Sequence, residues 1–219
     1  MAINSSVPFG FRSFGHRDGS APTAGMSRYF VSTADTFPHF SGDLVQMSSV
    51  TAGCITGWPG STGTVPPVGV AVGYEYYSPT VGRVVWDKQI PAGAGSAAPV
   101  NSTIGGAIAY VIDDPEMQFL ARVQSSAWNP QYIGWSITTS TQAGSLSSQG
   151  NTATGLSVMS LNSSTVLSPA SSYPFVVVDT YNNYAPPGTD GTDNSSNYNI
   201  VVVAPNNWAR RAGVTYVST

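Results

Sequence analysis

Charge is what this chain has least of. Only 9% of its 219 residues are Asp, Glu, Lys or Arg, against about 25% in an ordinary soluble domain. There is a single lysine, Lys88, and the net charge is −3, so the basic footprint that duplex or single-strand binding requires is missing and nucleic acid is excluded as a partner. Cys54 is the sole cysteine, which rules out an internal disulfide. It lies in the apolar stretch Ala52–Thr56, where a thiol packs as a small hydrophobe. No run approaches the ~20 apolar residues of a membrane-spanning helix. The opening Met1-Ala2-Ile3-Asn4 also lacks the basic-then-apolar pattern of a secretory leader. The expectation is a soluble protein made in a cytoplasm, with no membrane partner. Gly-x-Ser-x-Gly is absent, and His16 and His39, the two imidazoles, both fall in irregular sequence, which argues against a serine triad. The glycines of Gly57–Gly63 are not followed by Gly-Lys-Ser/Thr, so they do not form a P-loop. These exclusions favour a protein that is not an enzyme and holds no cofactor.

What the chain has instead is Ser, Thr, Asn, 23 Gly and 16 Pro, interrupted by short runs of strand character. The chain is organised around Ala107–Val123. Ala107–Ile112 is continuously apolar, and Met117, Phe119, Ala121 and Val123 alternate with Gln118, Leu120 and Arg122, a period of two. Asp113-Asp114-Pro115-Glu116 between them is a turn signal, so the expected product is a central β-hairpin with a solvated acidic tip. Three acids in four residues also invite an acid–base or hard-cation reading, although local Asx turns use the same residues more often. Further strands are expected at Tyr29–Ser32, Gly42–Met47, Val68–Tyr77, Arg83–Lys88, Phe175–Val178 and Ile200–Ala204, with Gly69 and Gly73 marking close backbone approach or a bulge. Thr51–Pro67 carries Gly and Pro too densely for an element, and Gly57–Gly63 reads as an exposed turn. The absence of any long i, i+3, i+4, i+7 pattern predicts an all-β barrel or sandwich with long Ser/Thr/Gly-rich loops and less than ~15% helix.

Residues 1–28 contain Pro8, Pro22 and four glycines, with Phe9, Phe11 and Phe14 between them. This stretch reads as an extended N-terminal arm that docks on its own domain or on a neighbour, ahead of a single β domain over 29–219. Phe9, Phe11, Arg12 and Phe14 are its candidate partner-contact residues, each buried Phe contributing about 1.5–3 kcal/mol. Trp128, Tyr132 and Trp135 offer an alternative chemistry, an aromatic platform for sugar rings, as in a carbohydrate-binding module or fibre head. Asp190-Gly191-Thr192-Asp193-Asn194 faintly suggests a calcium loop but lacks the acidic spacing and closing Glu of one, so no metal site is assigned.

Several motifs resemble, in order, small phage-encoded proteins found near major capsid protein genes. They are Pro8-Phe9-Gly10-Phe11-Arg12, His16-Arg17-Asp18-Gly19-Ser20, Arg28-Tyr29-Phe30, Gly42-Asp43-Leu44-Val45, Tyr110–Glu116, Thr154-Gly155-Leu156-Ser157 and Leu161–Thr165. The chain departs from the pattern over Tyr181–Tyr198, which is longer and more polar. The resemblance implies a head-decoration, or cement, protein of a tailed bacteriophage. Its partners would be the major capsid protein and neighbouring copies of itself in a dimer or trimer, and its place would be the capsid surface of the virion.

Overall fold

The computed structural model describes residues 7, 9–20, 25–59, 66–94, 104–124, 128–140, 150–165, 172–181 and 197–210. Among them the chain forms fifteen strands and two single turns of 3-10 helix, at Pro130–Tyr132 and Ser163–Thr165. The first eight strands are β1 (Arg12–His16), β2 (Met26–Ser32), β3 (His39–Phe40), β4 (Leu44–Met47), β5 (Cys54–Gly57), β6 (Pro67–Ser78), β7 (Arg83–Asp87) and β8 (Gln89–Ile90). The rest are β9 (Ile104–Ile112), β10 (Met117–Arg122), β11 (Ser136–Ile137), β12 (Gly150–Asn151), β13 (Leu156–Ser157), β14 (Phe175–Thr180) and β15 (Ile200–Pro205). The all-β expectation holds.

Five strands close into a barrel in the order β4-β5-β2-β9-β6, with β6 pairing back to β4. All of these pairs are antiparallel except β2–β5. A five-stranded barrel has little room inside, and the inward positions carry Ala71, Ala107, Ala109, Val31, Val45, Val111 and Ile55, buried together. Bulges between Ala71 and Gly73, Phe30 and Ser32, and Val45 and Gln46 bend the strands enough to close the ring. Gly69 and Gly73 behave as their positions in β6 suggest. A Cβ on Gly69 would lie 2.4 Å from the Ile112 carbonyl oxygen, and one on Gly73 would lie 2.4 Å from the Trp86 ring.

The second layer is an antiparallel sheet in the order β1-β10-β15-β14-β11. Its inner face, with Met117, Phe119, Phe175, Val177, Val201 and Val203, packs on Leu44, Val70 and Ile112 from the outside of the barrel, with Trp58 and Trp208 filling the seam. Phe175 and Phe119 meet Trp208 at ring-centroid distances of 6.0 and 5.7 Å.

Two sequence expectations are corrected here. The central hairpin does not form: β9 pairs with β2 and β6 in the barrel, whereas β10 pairs with β1 and β15 in the second sheet. Asp113–Glu116 is therefore a corner that switches sheets. Along β9, Ala107, Ala109 and Val111 point into the barrel and are buried, whereas Ile108 and Tyr110 on the other face are half-buried and Ile112 at its end packs against the second sheet. The second correction lies in Thr51–Pro67, where Cys54–Gly57 forms β5 between β4 and β2, and Trp58 is core, not an exposed turn. Burial of Cys54, Ile55 and Gly57 outweighs the local density of turn residues.

Candidate binding surface

The N-terminal segment is built into the second sheet. Gly10 and Gly42, both at positive φ, approach so closely that a Cβ on Gly10 would lie 2.8 Å from the Gly42 carbonyl oxygen. In that space the Phe11 amide donates to the Gly42 carbonyl at 3.0 Å. Phe11 then turns inward, 2% exposed, and stacks on Phe175 at 4.8 Å, so it serves the protein's own core. Arg12–His16 follow as β1, an edge strand paired with β10, with an irregularity in register between Ser13 and Gly15. This leaves Phe9, Arg12 and Phe14 at the surface. The Arg12 guanidinium sits 4.9 Å over the Phe9 ring. Phe14 is 44% exposed and meets Tyr181 edge-on at 5.9 Å. Phe14 and Tyr181 form one side of a cleft of about 240 Å³ on the outer face of the sheet, lined also by Gln118, Val178, Asp179, Thr180 and Val202.

The acidic corner secures the end of β1. The Arg17 amide donates to the Glu116 carbonyl at 3.0 Å, and His16 lies between Asp18, 2.8 Å from Nδ1, and Asp114, 3.2 Å from Nε2. The Asp18 hydrogen bond, chiefly, raises the imidazole's pKa. Asp114 accepts from the Glu116 amide at 2.9 Å, the Asx turn expected from the sequence. Asp113 departs from the expectation of a solvated tip. It is 6% exposed, and one of its carboxylate oxygens accepts from the Tyr29 hydroxyl at 2.7 Å and from the Arg210 guanidinium. The carboxylates of the corner are thus turned to different tasks and do not converge on a common point. No group of three His, Cys, Asp or Glu side chains among the described residues is placed to hold a metal.

The sequence reading missed a buried ionic cluster. Asp35 accepts from His39 Nε2 at 2.8 Å, from the Thr56 hydroxyl at 2.5 Å and from the Gly57 amide at 3.1 Å on one oxygen, and from the Phe37 amide at 3.1 Å on the other. Burial opposes ionisation of Asp35, but His39 and these donors outweigh it and hold the carboxyl at about 2. Burial likewise pulls His39 down, and the Asp35 carboxylate reverses that, leaving it raised. Asp43, which accepts from the Phe40 amide at 2.7 Å, is pushed up to about 6 by burial. Tyr74, over which His39 stacks, is raised well above its usual value by burial and by the charges of Asp43 and Asp35. An Asp–His pair is the kind of group that relays protons in hydrolases, but the side chains here are 1% and 7% exposed. The pair binds the Asp35–Asp43 loop to β5, and Gly57 leaves room for the imidazole, since a Cβ there would lie 2.8 Å from the ring. The available signal was Asp35-x-x-x-His39 in a chain so poor in charge.

Of the aromatic trio, Trp128 is core, donating from its indole nitrogen to the Thr180 hydroxyl at 3.0 Å. Tyr132 contacts it edge-on at 5.5 Å, and Trp135, tilted on Tyr132 at 5.5 Å, is 36% exposed. The trio is a stack running outward from the core, with one ring at the surface. Asp190–Asn194 lies outside the described residues. No family model matches the chain, and neither a curated protein nor a solved structure matches it.

Proposed function

We propose that this protein is a structural component of a tailed-phage virion, a decoration or cement protein that binds the outer surface of the major capsid shell and stabilises it by contact, without chemistry. The observation that carries the reading is the N-terminal surface. Phe14 stands exposed on the edge strand β1, beside a cleft of mixed apolar and polar lining on the outer face of the sheet, flanked by the Arg12–Phe9 stack. An edge strand accepts an extended partner segment through main-chain hydrogen bonds, while an adjacent pocket takes a side chain. The motif resemblance supports the same reading, since Phe9, Arg12, His16 and the Tyr110–Glu116 corner all belong to it and all build or brace this surface. The Asp35–His39 pair is sealed from substrate.

A second reading, carbohydrate binding, rests on Trp135 at the surface, backed by the half-buried Tyr132. The two are separated by adding purified protein to capsids stripped of decoration and, in parallel, to a glycan array. Saturable co-sedimentation with capsids that Phe14→Ala weakens is the expected result. Glycan binding abolished by Trp135→Ala, with no capsid binding, would replace the proposal.

A further inference from the structure

Beyond the closed barrel, β6 runs on to pair with an edge strand, β7. β7 pairs through its whole length with the far half of β6, from Tyr74↔Asp87 to Ser78↔Arg83, with no break in register, and among the described residues no strand pairs with its other edge. Folded proteins blunt such edges with lysine, proline or a bulge because an unpaired ladder is a template for another chain. β7 has none of the three. Its sequence is Arg83-Val84-Val85-Trp86-Asp87, and Val84 and Trp86 are 58% and 57% exposed.

We infer that β7 is a homodimerisation strand, pairing antiparallel with β7 of a second copy about a two-fold axis through Val85. The strand is complementary to its own reverse: Arg83 and Asp87, of opposite charge, lie at its ends, and apolar Val84 and Trp86 flank the central Val85. Centred on Val85, the antiparallel register sets Arg83 of each copy opposite Asp87 of the other, and Val84 opposite Trp86. Sliding the strands by two residues places Arg83 against Val85, or Val85 against Asp87, and strands the charges. Opposite-charge and aromatic–aliphatic cross-strand pairs are the contacts that stabilise sheets, and a two-fold axis makes each of them twice. On the exposed face the register with β6 already places Tyr77 beside Val84 and Glu75 beside Trp86. Pairing therefore extends each into a row of four across the axis: Tyr77, Val84, Trp86 and Glu75, the last two from the other copy. The barrels would then share one continuous sheet. This rests on the strand alone and holds whatever the Phe14 surface binds.

Sedimentation equilibrium of the full chain tests it without capsids. The wild-type protein should be dimeric, Arg83→Asp and Asp87→Arg should each raise the dimer dissociation constant by about tenfold or more, and the double exchange should restore it, because the pairs re-form with their signs reversed. Val84→Lys, at an exposed position, should give monomer with an unchanged far-UV spectrum and provides a second measurement should a charge variant fold poorly. A wild-type monomer at about 100 µM, a concentration at which even modest affinity would show, would overturn the inference. So would a double exchange as weak as the single ones, or a dimer that Val84→Lys leaves intact.

Discussion

Two of the edge strands, β1 and β7, differ in how they are built. β1 is polar, carries an irregularity at its middle, and is fixed at both ends: Phe11 is sunk in the core, and His16 and Arg17 are tied to the acidic corner. β7 is regular, apolar at its centre, and tied only through β6. The irregularity in β1 works against regular strand pairing, whereas the charge order of β7 is what the proposed two-fold pairing uses.

The sharpest way to break this comparison is to unseat β1. Phe11→Ala removes a fully buried ring stacked on Phe175 and should cost about 3–5 kcal/mol in denaturant unfolding. Phe14→Ala, three residues on at an exposed position, should change stability by no more than about 0.5 kcal/mol. Equal effects would mean that the segment does not dock as described.

The turn that receives Phe11, Gly42-Asp43, is coupled to pH. Asp43 has a folded-state pKa of about 6, above its unfolded value, so it contributes stability that is present below about pH 4 and lost as pH rises through 6. His39, also raised, acts in the same direction at higher pH. Asp35, lowered to about 2, contributes stability that is lost as pH falls below about 4. The stability maximum should therefore lie near pH 4, with a decline on the order of 2–3 kcal/mol between about pH 4 and 6 from Asp43 and a further decline above about pH 6.5 from His39. Thermal melts across pH check this, and Asp43→Asn should flatten the decline.

A smaller effect separates the acids of the corner. Asp113→Asn should cost about 1–3 kcal/mol because Tyr29 and Arg210 lose a buried carboxylate. Asp114→Asn, which keeps the turn-forming carbonyl, should stay within about 0.5 kcal/mol. Smallest of all, Val84→Lys on β7, at a position 58% exposed, should leave the stability of the dilute protein within about 0.5 kcal/mol of wild type while changing the oligomeric state.

The strands themselves were largely legible, because alternation and β-branched runs survive in β2, β4, β6, β7, β14 and β15 without help from tertiary contacts. Pairing was not legible. Whether β9 and β10 share a ladder depends on what occupies the other edge of β9, and nothing local in Ala107–Val123 records that β2 lies there. β5 was hidden for a related reason, since Cys54–Gly57 is a strand only because its neighbours bury it. At the candidate surface, Phe14 and Arg12 could be picked out from their spacing. The inward turn of Phe11 depends on the approach of Gly10 to Gly42, residues 32 positions apart. The Asp35–His39 pair lay within one short loop and was the missed feature most accessible to sequence reasoning.

The proposed role is tested most directly by a cryo-EM map of capsids decorated with the purified protein, compared with bare shells. The account predicts added density on the outer surface of the shell, with β1 and the Phe14 cleft facing the capsid subunits. Absence of added density, or density in which that surface faces solvent and another part of the barrel meets the shell, would contradict it.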